Sequence, residues 1–143
     1  MNVRTHVMVG LVVSILLLFF HKEIGLFYVT ILFLSSVLID VDHYIFYAYI
    51  TGDWSLKRAY YAFVNLEESN NKKQLLLFHG VECWIVLLML TCLHSLFIYV
   101  CIGVALHIIL DLLFMFDKGM SLFPKLSQIF VYLDTKHQIE DFK

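Results

Sequence analysis

The stretch LFIYVCIGVALHIILDLLFMF, residues 96–116, decides the fold. Roughly twenty apolar residues cross the hydrocarbon of a bilayer as a single helix. This run meets that length, yet it carries His107 and Asp111 and neither Lys nor Arg. A carboxylate at that depth costs about 2.5–3.5 kcal/mol even on lenient insertion scales, so it marks function and has a partner. Residues four apart share a helix face, which points His107 and Asp111 the same way.

Three more apolar stretches lie upstream, at about 7–20, 24–50 and 75–93, and two of them repeat the pattern. The second ends in Asp40-Val41-Asp42-His43, and the third opens with His79-Gly80-Val81-Glu82. His6 stands at the start of the first. The chain is 61% hydrophobic with one Pro and a net charge of −2, a balance that excludes an ordinary soluble domain and a nucleic-acid partner. The expected fold is all-α: a single polytopic membrane domain over residues 1–143, built as a four-transmembrane-helix bundle with spans 7–20, 24–50, 75–93 and 96–116. Arg4 followed by an apolar run resembles a secretory signal, but Phe19-Phe20-His21-Lys22-Glu23 offers no small-residue cleavage site, so the segment is read as a retained helix.

Outside the spans, Leu56, Tyr60, Phe63 and Val64 recur at helical spacing after Ser55, a residue suited to capping. An interfacial amphipathic helix is therefore expected at 54–66 within the 51–74 loop. A second is expected at 121–137 in the C-terminal tail, where Leu126, Ile129, Phe130 and Leu133 form an apolar stripe. Lys57, Arg58, Lys72 and Lys73 in the loop, Arg4 before the first span and four lysines after the last contrast with Lys22 alone on the other side. The positive-inside rule then predicts a multi-pass inner-membrane protein with both termini cytoplasmic. On that topology His6, the Asp40–His43 segment, His79 with Glu82, and His107 with Asp111 all come to one depth.

Pairs three or four apart (Asp40/His43, His79/Glu82, His107/Asp111) each aim two donors in one direction, the way helix bundles build carboxylate–histidine metal sites. His6, Asp40, Asp42, His43, His79, Glu82, His107 and Asp111 are the expected ligands. A single tetrahedral ion uses three or four ligands, so this set suggests two divalent metals, zinc or manganese being suited to imidazole and carboxylate donors. Asp42 faces away from Asp40 on an unbroken helix, and is expected to hold a second metal, orient a histidine or cap a helix break. Asp42 or Glu82 is the expected general base. Cys83, Cys92 and Cys101 read as small apolar positions, and Ser14, four after Gly10, as helix packing. His21, His94 and His137 are left out of the site.

These pieces resemble the YdjM-like family of predicted membrane-bound metal-dependent hydrolases: Thr5-His6, Asp40-Val41-Asp42-His43, His79-Gly80 and Gly103-x-x-x-His107-x-x-x-Asp111. The resemblance implies four helices and, by analogy with zinc phospholipase C and P1-type nucleases, hydrolysis of a phosphodiester. Many relatives look like His-Arg-Gly-x-x-His at the start of helix three, where this chain has His79-Gly80-Val81-Glu82, so Glu82 is expected to take over a ligand's place. The expected substrate is a phosphoester of a membrane lipid or lipid-linked molecule, with homo-oligomerisation left open. The alternative is a divalent-metal transporter or sensor without catalysis, because intramembrane carboxylates and histidines also line ion pathways. Bis-histidine haem binding is a third reading, and it leaves the carboxylates without a task.

Overall fold

A computed structural model describes residues 3–69, 76–119 and 127–129, and side chains within 63–69 fall outside that description. All regular structure among the described residues is helical. Helix α1 spans Val3–Phe20, followed by a one-turn 3-10 helix at Lys22–Ile24 and then α2 (Gly25–Leu38) and α3 (Val41–Thr51). After these come α4 (Leu56–Ser69), α5 (Val81–Thr91) and α6 (Leu96–Asp117).

Among the described residues, three helical stretches are long and apolar enough to cross a membrane: Val3–Phe20, Lys22–Thr51 and Leu96–Asp117. The expected fourth span is shorter than its apolar run. Helix α5 has 11 residues, about 16 Å of rise, against a hydrocarbon thickness of about 30 Å. Residues 76–80, expected inside this span, form a turn closed by the His79 N–H donating to the Leu76 carbonyl at 3.1 Å. Gly80 then extends the chain at φ −88°, ψ 163° before α5 begins. Leu76, His79 and Gly80 are buried, and protein cover is what permits non-helical backbone beside lipid.

The second expected span, 24–50, is also interrupted. Between α2 and α3 the Asp42 and His43 N–H groups donate to the carbonyls of Ile39 and Asp40, three residues back. Such i→i+3 bonds tighten the winding to about three residues per turn. At this tightened turn Asp40 and Asp42 both face His79.

Helix α2 sits centrally, packed most extensively against α6 and next against α1, while α5 rests on α6 and α3 on α4. The central crossings use small residues. A side chain at Gly103 would overlap the Leu32 carbonyl and the Ser35 hydroxyl, and a Cβ at Gly10 would stand 2.6 Å from Ser36 Oγ. Close backbone approach of this kind is how helices associate where apolar burial gives no drive. The distribution of polarity is inverted relative to a soluble protein. Helix α1 buries His6, Gly10 and Ser14 and exposes Leu11, Val12, Ile15 and Phe19. Polar groups inside and bulky apolar groups outside are the signature of a protein solvated by lipid.

The expected helix in the 51–74 loop is present as α4. Gly52 ends α3 in the left-handed region (φ 68°), its N–H reaching the Ala48 carbonyl at 3.0 Å. The Arg58 N–H donates to Ser55 Oγ at 3.4 Å, the cap anticipated for that serine. Asp53 ties this corner together: Arg58 forks onto its carboxylate, and the Tyr47 hydroxyl donates to it at 2.9 Å. The expected helix at 121–137 lies outside the described residues apart from 127–129.

Candidate metal centre

Every expected ligand except Glu82 meets in one buried cluster where α1, α6, the α2–α3 junction and the 76–80 turn converge. From α6, the His107 Nδ1–H donates to the Ser36 carbonyl at 2.8 Å. That bond occupies Nδ1 and leaves Nε2 facing the carboxylates, 3.2 Å from Asp40 Oδ1 and 3.6 Å from Asp111 Oδ2. The geometry to neither oxygen makes a hydrogen bond, so this buried nitrogen has no hydrogen-bond partner.

His79 repeats the arrangement from the 76–80 turn. Its Nδ1–H donates to Asp42 Oδ2 at 3.0 Å, and its Nε2 stands 3.7 Å from Asp40 Oδ1 and 3.8 Å from Asp111 Oδ2. This second nitrogen is likewise buried without a hydrogen-bond partner. Two imidazole nitrogens therefore each stand 3.2–3.8 Å from the same two carboxylate oxygens. Donors around a tetrahedral ion with bonds of 2.0–2.2 Å stand about 3.3–3.6 Å apart. Buried nitrogens that face carboxylates without a hydrogen bond are costly as they stand, and a bound cation relieves that cost.

His6 and His43 flank this quartet. His6 Nε2 lies 3.2 Å from Asp111 Oδ1, a spacing that suits a hydrogen bond or a shared cation, and its ring stacks on His107 at 3.8 Å. Its other nitrogen, Nδ1, is buried without a partner. The His43 Nδ1–H donates to Asp42 Oδ1 at 2.9 Å, and the same nitrogen is 3.6 Å from Asp40 Oδ1. Two adjacent ligand groups result, His6/His107/Asp111 and Asp40/His43/His79, each able to hold a metal ion. Asp111 joins the two groups: Oδ1 faces His6, and Oδ2 faces both His107 at 3.6 Å and His79 at 3.8 Å.

Asp42 occupies one of its three expected positions. Its oxygens accept from His43 and His79, and Oδ2 also accepts the Phe78 N–H at 3.0 Å. Orienting two histidines is what a carboxylate behind metal-ligating imidazoles does, and it raises their basicity. Asp42, an expected base, thus has both oxygens engaged in hydrogen bonds.

Glu82 departs from its expected place among the ligands and belongs to neither group. It points to the C-terminal segment, where Oε1 accepts from the Ser127 hydroxyl at 2.6 Å and the Ile129 N–H at 3.1 Å, and Oε2 from the Gln128 N–H at 3.1 Å. The cause is the start of α5. With the helix beginning at Val81 instead of near Leu75, His79 and Glu82 no longer share a helical face. Sequence reasoning also missed the Ser36 carbonyl, since a backbone acceptor carries no residue signature, and His94, whose Nδ1 accepts the Leu96 N–H at 3.0 Å at the start of α6.

Comparison with protein-family models, with curated proteins and with solved structures finds no match for this chain.

Proposed function

We propose that this protein is a membrane-embedded hydrolase with two divalent ions, zinc or manganese, in the His/Asp cluster, acting on a phosphoester of a lipid or lipid-linked substrate at the cytoplasmic membrane surface. The observation that carries this reading is the pair of buried, unpartnered Nε2 atoms on His79 and His107, aimed at Asp40 and Asp111 while their Nδ1 atoms are tied elsewhere. A network that merely glued helices together would spend those lone pairs on hydrogen bonds.

His79, His107, Asp40 and Asp111 form the inner set, with His6 on one side and His43 on the other. The division of Asp111 between the two sides supports a pair of ions. Bound divalent ions supply Lewis acidity toward a phosphoryl oxygen and lower the pKa of water. Asp40 marks the open side, its side chain 21% exposed against 3% for Asp42 and 4% for Asp111. A substrate phosphate approaches past Asp40 and His43, and Asp40 is the carboxylate available to take a proton from water. The resemblance to YdjM-like hydrolases points the same way.

The test is metal analysis and hydrolysis of a phosphodiester reporter by purified protein, beside Asp111→Ala and His79→Ala. Loss of both metal and turnover in the variants supports the enzyme. Metal-driven uptake into liposomes without hydrolysis assigns the chain to transport, and full metal retention in both variants leaves the cluster a structural network.

A further inference from the structure

Glu82 lies near the cluster without joining it, and the segment it holds touches the loop that carries His79. Gln128 is 5% exposed, and its amide oxygen accepts the Leu76 N–H at 2.6 Å. Leu76 opens the 76–80 loop, and its carbonyl in turn receives the His79 N–H, so the two residues move as one turn. At the loop's other end, the Glu82 carboxylate collects the Ser127 hydroxyl and the Gln128 and Ile129 N–H groups. Gly80 leaves no slack between them. A Cβ there would overlap the Glu82 carboxylate and come within 2.7 Å of Gln128 Cγ.

We infer that Glu82 and Gln128 form a latch by which the C-terminal segment fixes the 76–80 loop, so that residues 127–129 set how tightly the cluster binds metal through the position of His79. This rests on the metal reading given above. Asp42 grips the loop from inside, at Phe78 and His79, and the latch grips it from outside, at Leu76. Glu82 and Gln128 are positioning residues: both act through a loop whose backbone lacks helical support. A ligand or lipid that draws the segment away releases the loop and weakens the site.

Co²⁺ titration of the full chain in nanodiscs tests this, read by visible absorption for both affinity and coordination geometry. Gln128→Ala and Glu82→Ala are expected to weaken Co²⁺ binding about ten- to hundredfold, the usual consequence of losing support behind a metal ligand, and to shift the visible bands. Glu82→Gln falls between them and wild type, because an amide keeps one accepting oxygen. In a His79→Ala background the same substitutions cause no further loss, as expected of residues that act only through His79. If Glu82→Ala loses its helical circular dichroism, Gln128→Ala, which removes no charge, decides the matter alone. Wild-type binding with unchanged affinity and bands in Gln128→Ala overturns the latch and leaves the metal reading intact. Further weakening in the His79→Ala background overturns it too, by showing a general structural role. Absence of Co²⁺ binding by wild type overturns both.

Discussion

Asp42 Oδ2 lies 3.0 Å from His79 Nδ1, and the same oxygen takes the Phe78 N–H at 3.0 Å. One carboxylate on α3 therefore sets both the tautomer of His79 and the path of the backbone that carries it. Asp42→Asn keeps the shape but halves the accepting capacity, since one side becomes a donor facing the N–H of His43 or His79. The expected outcome is about a ten- to hundredfold loss of metal affinity with helical content retained, measured by calorimetric titration.

The division of Asp111 between two sides makes the ligands unequal. His6 reaches only Asp111 Oδ1, whereas Asp111 faces His6 and also His79 and His107. His6→Ala is expected to lose one metal equivalent and Asp111→Ala both, as read by elemental analysis of the purified proteins. Equal losses in the two variants would sink the proposed sharing by Asp111.

Metal should also hold the fold together. Four converging donors without a cation leave buried lone pairs and carboxylates facing one another, so chelation is expected to lower the unfolding temperature. Restoring the ion at a hundred times its dissociation constant adds about 2.7 kcal/mol of stability. Thermal unfolding in detergent with and without chelator measures this, and indistinguishable curves contradict it.

Gly103 lies against the Leu32 carbonyl and the Ser35 hydroxyl of α2. Gly103→Leu forces α6 away from α2, and because His107 hangs one turn further along α6 and bonds the Ser36 carbonyl, the site moves with the helix. Overpacking of this kind costs about 1–3 kcal/mol. The expected result is a lower unfolding temperature together with weaker metal binding, whereas a change at a lipid-facing position such as Ile109→Leu affects neither.

At the α3–α4 corner, the Arg58 guanidinium holds the Asp53 carboxyl well below the usual carboxylate range. A depressed folded-state pKa gives stability that is present above the unfolded value of about 3.9 and is lost as pH falls through the lower folded value. The start of α4 is therefore expected to stay protected at pH 5 and to fray progressively below pH 4, as followed by hydrogen exchange at Ala59. In Asp53→Asn that acid dependence disappears. The pair is solvent-exposed, so the effect is confined to this corner.

Much of the site was legible because intramembrane charge is rare: His107 and Asp111 announce themselves against an apolar run, and the same contrast picks out Asp40, His43 and His79. Helical spacing was a weaker guide. It pairs His79 with Glu82 correctly only if the helix runs through both, and the apolar run at 75–93 gives no sign that Leu76–Gly80 leaves it, because the departure depends on Gln128, far along the chain. Asp42 was ambiguous for the complementary reason. An unbroken helix sends it away from Asp40, and the i→i+3 turn that reunites them has no punctuating Pro or Gly. Ser55 as a cap was readable from its own chemistry, which is local. The Ser36 carbonyl was not, since any residue supplies one.

The brevity of α5 has a consequence for the lipid around it. An apolar helix of 11 residues is too short for the oily layer it faces, and a bilayer meets such mismatch by pinching inward, each ångström costing a fraction of a kcal/mol. His79 lies two residues before this helix, at the end where such thinning would bring the membrane surface closer to it. Under the function proposed above, that thinning shortens the path by which a lipid headgroup reaches the imidazoles.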